Sequence, residues 1–203
     1  QIDVVADDIG IDAAKTGMLA SAAIVAAVAE RVAALGIAPL VVDPVMISTS
    51  GARLLAEDAV ETLKRRLLPL ATLVTPNLAE AAALCGREVA TLAEMEAAAR
   101  AIHDLGPKAV LIKGGHLPGE AADLFFDGQT VTVLRAPRID TASTHGTGCV
   151  LSAAITALLA QGVALPAAVA EAKEFVTAAL RAAAPLGRGH GPVDPLAWWR
   201  RGG

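Results

Sequence analysis

Cysteine is scarce in this chain. Only Cys85 and Cys149 occur in 203 residues, too few and too far apart to form a disulfide framework. Both are expected to be free thiols in a reducing cytosol. A long apolar run is also missing. The most apolar stretch, residues 150–159, is short and carries Ser152 and Thr156, whereas a membrane span takes roughly 18 or more uncharged apolar residues. Where a secretion signal would begin with basic residues, Asp3, Asp7 and Asp8 stand instead. With a net charge of -4 and no basic stripe, the chain has little with which to neutralise nucleic-acid phosphates. Its one basic cluster, Lys64-Arg65-Arg66, falls near the end of an expected helix, where it complements the helix dipole and is solvated. The expectation is a cytoplasmic protein with neither a nucleic-acid nor a membrane partner.

Several common catalytic patterns are absent as well. There is no Gly-Lys-Ser/Thr for a Walker A loop, and a dinucleotide fingerprint fails at Leu151, where its third glycine belongs. No His/Cys spacing suits zinc. No Gly-x-Ser-x-Gly elbow of a serine hydrolase occurs.

What is present is an alternation of apolar runs and helical periods. Strands are expected at residues 13–17, 39–43, 71–75 and 109–113, the last three being continuous apolar runs of strand length. Helices are expected at 21–35, stopped by Gly36, then at 56–67 and 76–84. A further one at 91–105 opens on a Thr91/Glu94 capping box. Asp127-Gly128, between runs 123–126 and 130–134, predicts a β-hairpin. Helices at 147–159 and 166–183 precede a Gly/Pro-rich tail. Such alternation predicts a mostly parallel sheet covered on both faces, with antiparallel strands at one edge and one domain over residues 1–203. Ligands of such sheets bind beyond the carboxyl ends of the strands. That rule draws attention to residues 15–18, 43–51, 75–80, 113–116 and the segment before Cys149.

His145-Gly146-Thr147-Gly148-Cys149 leads directly into an alanine-rich helix. Two glycines admit close backbone approach, and a helix start offers unpaired N–H groups at the positive end of its dipole. Locally the segment reads equally as an anion cradle or as a Gly-rich turn capped by Thr147. Cys149 lies in the first helical turn, which stabilises a thiolate able to take a proton from an attacking hydroxyl. Cys85, beside Gly86, reads instead as a small apolar residue. Asp43 and Glu80 follow two different strands, where carboxylates can hold Mg²⁺ directly or through water. Asn77, the sole asparagine, either caps its helix or reaches a phosphate. Lys113 closes a buried strand and either places a charge near phosphates or snorkels to solvent. His103 reads as structural, on a helix among polar neighbours. His190 either packs over a nucleotide or is simply exposed.

Taken in order, Lys15-Thr16-Gly17-Met18-Leu19, Val42-Asp43-Pro44-Val45-Met46, Ser50-Gly51, Thr75-Pro76-Asn77 with Glu80-Ala81, Leu111-Ile112-Lys113-Gly114-Gly115-His116, His145-Gly146-Thr147-Gly148-Cys149 and Gly189-His190-Gly191-Pro192-Val193 resemble the hydroxymethylpyrimidine/phosphomethylpyrimidine kinases of the ribokinase-like superfamily. The resemblance implies a ribokinase-like three-layer α/β/α sandwich. It also implies ATP-dependent phosphorylation of 4-amino-5-hydroxymethyl-2-methylpyrimidine and then of its monophosphate, in thiamine biosynthesis. By motif, Cys149 would be the catalytic base, in place of the Asp of most of the superfamily. Gly146, Thr147, Gly148 and Cys149 would form the anion hole, and Asp43 and Glu80 would organise Mg²⁺. Lys113, Asn77 and His145 would attend the nucleotide, while Met18 and Lys15 would line the pyrimidine pocket. A homodimer is part of the same expectation.

Thr16 replaces the family's commoner Ile, and Asp194 its commoner Asn. The family also begins with a Gly-rich strand–loop and further strands that supply much of the substrate pocket. This chain starts at Gln1, just before Lys15-Thr16-Gly17-Met18, and is read as lacking that segment. Two other readings stay open: a pyridoxal/pyridoxine kinase of the same superfamily, and a truncated module that binds ligand without turnover.

Overall fold

The computed structural model describes residues 1–46, 55–115, 117 and 121–202. Ser50, Gly51 and His116, with the Ser/Thr/Gly-rich loop after Asp43, lie outside the described residues. The chain runs α1 (Ile2–Ile9), β1 (Ala14–Thr16), α2 (Ala22–Leu35), β2 (Leu40–Val42), α3 (Glu57–Thr62), β3 (Leu73–Val74), α4 (Leu78–Cys85) and α5 (Leu92–His103). It continues with β4 (Val110–Ile112), β5 (Ala121–Phe126), β6 (Val131–Ala136), α6 (Thr147–Ala160) and α7 (Leu165–Arg181), and closes on a 3₁₀ segment, Pro195–Gly202.

The six strands form one sheet in the order β1-β2-β3-β4-β5-β6. β1 to β4 are parallel, and β5 and β6 are antiparallel. The hairpin expected around Asp127-Gly128 is therefore present. Its turn is held by the Asp127 carboxylate, which accepts from the amides of Gln129 (2.8 Å) and Thr130 (2.6 Å).

Sequential order explains the layering. Right-handed crossovers that always step in one direction put their helices on one face of the sheet. Accordingly α2, α3, α4 and α5 pack with Leu40, Val42, Val74 and Ile112 in one apolar cluster. The opposite face carries Val41, Leu73, Leu111 and Phe125 against α6 and α7. A sheet with helices on both faces and an antiparallel edge is the expected three-layer sandwich.

Local signals account for most boundaries. Ser21 caps α2 through its hydroxyl, and Gly36 ends it in a left-handed conformation that favours glycine. Thr91 caps α5, accepting from the Glu94 amide at 3.2 Å. The capping box expected there is altered: Glu94 accepts from the Ala90 amide (2.9 Å) and the Thr91 hydroxyl (3.0 Å). The helix expected at 56–67 changes character. After α3 it continues as a π-helical stretch, Leu63–Leu67, and a 3₁₀ turn, Leu68–Leu70, that contains Pro69. Lys64 and Arg65 both pair with Glu61 there, at 3.4 and 3.7 Å. His103 has an aromatic neighbour where polar ones were expected: its ring meets Phe126 edge-on at 5.3 Å. Among the described residues, no helix is long and apolar enough to cross a membrane.

Candidate active site at the carboxyl ends of the strands

Strand alternation decides which side chains meet. Val41, Leu73 and Leu111 face α6 and α7. Side chains two positions further on point to the same face, and these are Asp43, Thr75 and Lys113. Pairing β1 with β2 sets Lys15 beside Val41, so Lys15 shares that face. Backbone bonds keep the strand ends level. Asp43 N donates to Thr16 O (3.1 Å), Thr75 N to Val42 O (3.0 Å) and Lys113 N to Pro76 O (2.8 Å). Thr16 falls on the opposite face, beside Val42. It is buried there, and its hydroxyl has no partner among the described residues, in keeping with a site that takes Ile in the resembled family.

Asp43 is the hub. Its Oδ1 accepts from Lys113 Nζ at 2.9 Å and from the Thr75 hydroxyl at 3.2 Å. Its Oδ2 accepts from the Ser152 hydroxyl at 3.2 Å. The same Ser152 hydroxyl lies 3.1 Å from the carbonyl of Cys149, so its one proton is shared between the first turn of α6 and Asp43. Asp43, Thr75 and Ser152 are all buried, and their polar atoms satisfy one another, as a dry site requires. Lys113 does not snorkel away. Its ammonium lies 3.1 Å from where a Cβ on Gly148 would sit, between Asp43 and the helix start.

The start of α6 is left without a side-chain cap. Gly146 is the N-cap, in a left-handed conformation (φ 82°). Thr147 does not serve as the cap; its hydroxyl donates to Thr144 O at 2.6 Å. Val150 N is used by Gly146 O (2.8 Å). The amides of Gly148 and Cys149 therefore belong to the helical turn that has no intrahelical acceptor. Cys149 is exposed beside them. The segment is pinned from behind: His145 N donates to Gly191 O (3.0 Å) and Val193 N to His145 O (3.4 Å). The His145 side chain is exposed. His190 is exposed too, with Nδ1 3.3 Å from the Ala142 carbonyl.

Glu80 and Asn77 form a reciprocal capping box at α4. Asn77 Oδ1 accepts from Glu80 N at 2.9 Å, and Glu80 Oε2 accepts from Asn77 N at 2.8 Å. Glu80 Oε1 also accepts from Met46 N at 3.4 Å. Asn77 thus caps its helix, one of the two uses expected of it. Burial pushes the Glu80 carboxyl above its usual range; the Lys113 charge and the Asn77 amide pull the other way, and the Asp43 charge pushes it up. Glu80, Asp43 and Lys113 therefore act on one another electrostatically. Lys15 stands near Gly17, and Met18 is 57% exposed.

Sequence reasoning missed Ser152 and gave Thr75 no role. A buried hydroxyl three residues after Cys149, on an otherwise apolar helix, was the available signal for Ser152.

The profile of the family described as phosphomethylpyrimidine kinase matches residues 1–194. The chain belongs to this kinase family. It is 53% identical over 190 residues to the hydroxymethylpyrimidine/phosphomethylpyrimidine kinase of Streptomyces coelicolor, a match covering 94% of this chain and 70% of the relative. It is 49% identical to the thiamine biosynthesis bifunctional protein ThiED of Geobacter sulfurreducens, covering 97% of this chain and 40% of that one. Among solved structures, the pyridoxal kinase of Staphylococcus aureus in complex with AMP-PCP superposes with a TM-score of 0.92 at 38% identity, covering 98% of this chain and 73% of its own. The ribokinase-like fold and the kinase class expected from the motifs are thereby established.

Proposed function

We propose that this kinase transfers the γ-phosphoryl group of ATP to the hydroxymethyl oxygen of 4-amino-5-hydroxymethyl-2-methylpyrimidine, and then to the resulting monophosphate, in the cytoplasm. The substrate reading rests on relatives about half identical that are named hydroxymethylpyrimidine/phosphomethylpyrimidine kinase. The observation that carries the chemistry is the convergence of Asp43, Thr75 and Lys113 on the uncapped start of α6, beside Cys149. Phosphoryl transfer needs positioning and stabilisation of charge more than covalent chemistry. The Cys149 thiolate takes the proton of the substrate hydroxyl as that oxygen attacks the γ-phosphorus, and ADP leaves. The amides of Gly148 and Cys149 hold the oxygens of the phosphoryl group in flight. Lys113 and the Asn77 amide nitrogen face the phosphates that remain with the nucleotide, and His145 borders the same site. Lys15 and Met18 line the pyrimidine side.

Asp43 and Glu80 are the residues for Mg²⁺. All their carboxylate oxygens already accept protein hydrogen bonds, and the described residues hold no cluster of three or more metal-ligating side chains. That donor set fits an ion that keeps several waters and takes further ligands from substrate phosphates. Bound there, Mg²⁺ would neutralise phosphate charge.

The test sets the pyrimidine alcohol and pyridoxal side by side as acceptors for wild type and Cys149→Ala. The pyrimidine should be preferred. The variant should lose about two to four orders of magnitude in turnover while still binding ATP. A preference for pyridoxal overturns the substrate reading, and unchanged turnover in Cys149→Ala overturns the base. The molar mass in solution tests the homodimer that the resemblance carries.

A further inference from the structure

The β4 end that presents Lys113 is held by residues outside the site. Pairing of β4 with β5 runs Val110 with Phe126, Leu111 with Phe125 and Ile112 with Leu124. Beyond Ile112 a side chain takes over from the ladder: Gly114 N donates to Asp123 Oδ1 at 2.9 Å. The chain is pressed close at this point, for a Cβ on Gly114 would run into the Ala122 carbonyl oxygen. The other oxygen of Asp123 meets Lys173 Nζ at 2.6 Å, and Lys173 also donates to Ala121 O at 3.3 Å. The pair is nearly dry, with side-chain exposures of 14% for Lys173 and 6% for Asp123.

Lys173 has an alternative. It also lines a cavity of about 560 Å³ together with Arg135, Thr177, Arg181 and Trp198. A lysine ammonium is strongly hydrated and usually reaches for water. Here it turns inward to the one carboxylate that grips Gly114. An α7 residue is thereby coupled, through Asp123 and Gly114, to Lys113 and the Asp43 hub.

We infer that Asp123 and Lys173 are positioning residues for phosphoryl transfer: their buried ion pair fixes the Gly114 amide, and with it the phosphate-facing end of β4. The inference rests on the kinase reading above for its reaction. Neither side chain touches the reacting atoms in this assignment. They act through the backbone that carries Lys113.

The chain is compared as wild type, Asp123→Ala and the double variant Asp123→Asn with Lys173→Gln. In the double variant a neutral amide pair replaces the ion pair, and the Asn oxygen still accepts from Gly114. Per folded molecule, Asp123→Ala should lower kcat/KM for ATP by about 100-fold, since small misplacements near a reacting group cost that much. The double variant should stay within about threefold of wild type, because replacing both partners in the same shape is nearly neutral. Unchanged kcat/KM in Asp123→Ala, with only the melting temperature lowered, would falsify the positioning role. So would a double variant as impaired as Asp123→Ala.

If Asp123→Ala does not fold, hydrogen exchange at the Gly114 amide of the unliganded wild type decides. Slow exchange supports the assignment and exchange at the rate of an open loop overturns it. Failure of wild type to phosphorylate the pyrimidine would sink the substrate reading alone. The variants are then still ranked by ATP affinity in calorimetry, which needs no acceptor substrate, and Asp123→Ala should bind about tenfold more weakly.

Discussion

Asp43 and Lys113 are 70 residues apart in the chain and 2.9 Å apart in the structure. Each was legible as a polar residue ending a buried strand, because a charge there must find a use beyond the sheet. Lys113 pairs with Asp43 within the protein, and Asn77 caps α4, one of the two uses expected of it. Glu80 offers a test at this scale. Its carboxyl is raised chiefly by burial, so the native protein holds that proton to a higher pH than the unfolded chain does. By linkage, stability then falls as pH rises from about 4.5, the usual value, through the native value, and levels off above it. Glu80→Gln removes that dependence and adds only a constant change from its altered hydrogen bonds. The melting temperature of the variant relative to wild type should therefore climb across this window, without ATP or Mg²⁺. A difference that stays flat with pH would refute the assignment.

At the scale of elements, caps were the most readable signals because they depend on a few neighbouring residues. Ser21, Gly36 and Thr91 sit where local rules put them. Thr91→Ala should cost about 1 kcal/mol in denaturant unfolding and leave turnover unchanged, since α5 lies on the sheet face away from Asp43. A loss well under half of that would show that the Thr91 cap contributes little. Three pieces were not read from the sequence. α1 carries apolar residues at helical spacing, Ile2, Val5, Ala6 and Ile9; that signal was available and was missed, although the helix buries no residue fully and sets only Ile2 against the core. The π-helical stretch keeps an apolar spacing close to that of an α-helix, with Leu63 and Leu67 buried. The closing 3₁₀ segment depends on Phe175 of α7, whose ring lies 5.7 and 5.9 Å from those of Trp198 and Trp199.

Across the whole molecule, one sheet separates two apolar clusters, and the tail fastens both the site and α7. Val193 pairs with His145, and Asp194 N donates to Ala179 O at 3.1 Å. The described chain should then unfold as one cooperative unit, consistent with a single domain over residues 1–203. Tryptophan fluorescence, which reports the tail on α7, and far-UV circular dichroism should show coincident urea transitions. An earlier fluorescence transition would mean that the tail and α7 form a separate unit.

Apart from α1, the π-helical stretch and the closing 3₁₀ segment, the order of strands and helices, the hairpin and the motif segments follow from the sequence alone, because they rest on period, turn chemistry and neighbours within a few residues. The proposal that those segments share a phosphoryl-transfer site rests on their order along the chain, through the family they resemble. Tertiary structure alone decided what each side chain does. Alternation predicts that Asp43 and Thr75 point to one face of the sheet, yet only strand register and the seating of α6 bring Ser152 onto the same carboxylate. The grip of Asp123 on Gly114 likewise appears only where the β4–β5 ladder ends and α7 packs across it. Local rules act over one turn or one pleat. Contacts between distant elements are set by how their apolar faces fit together.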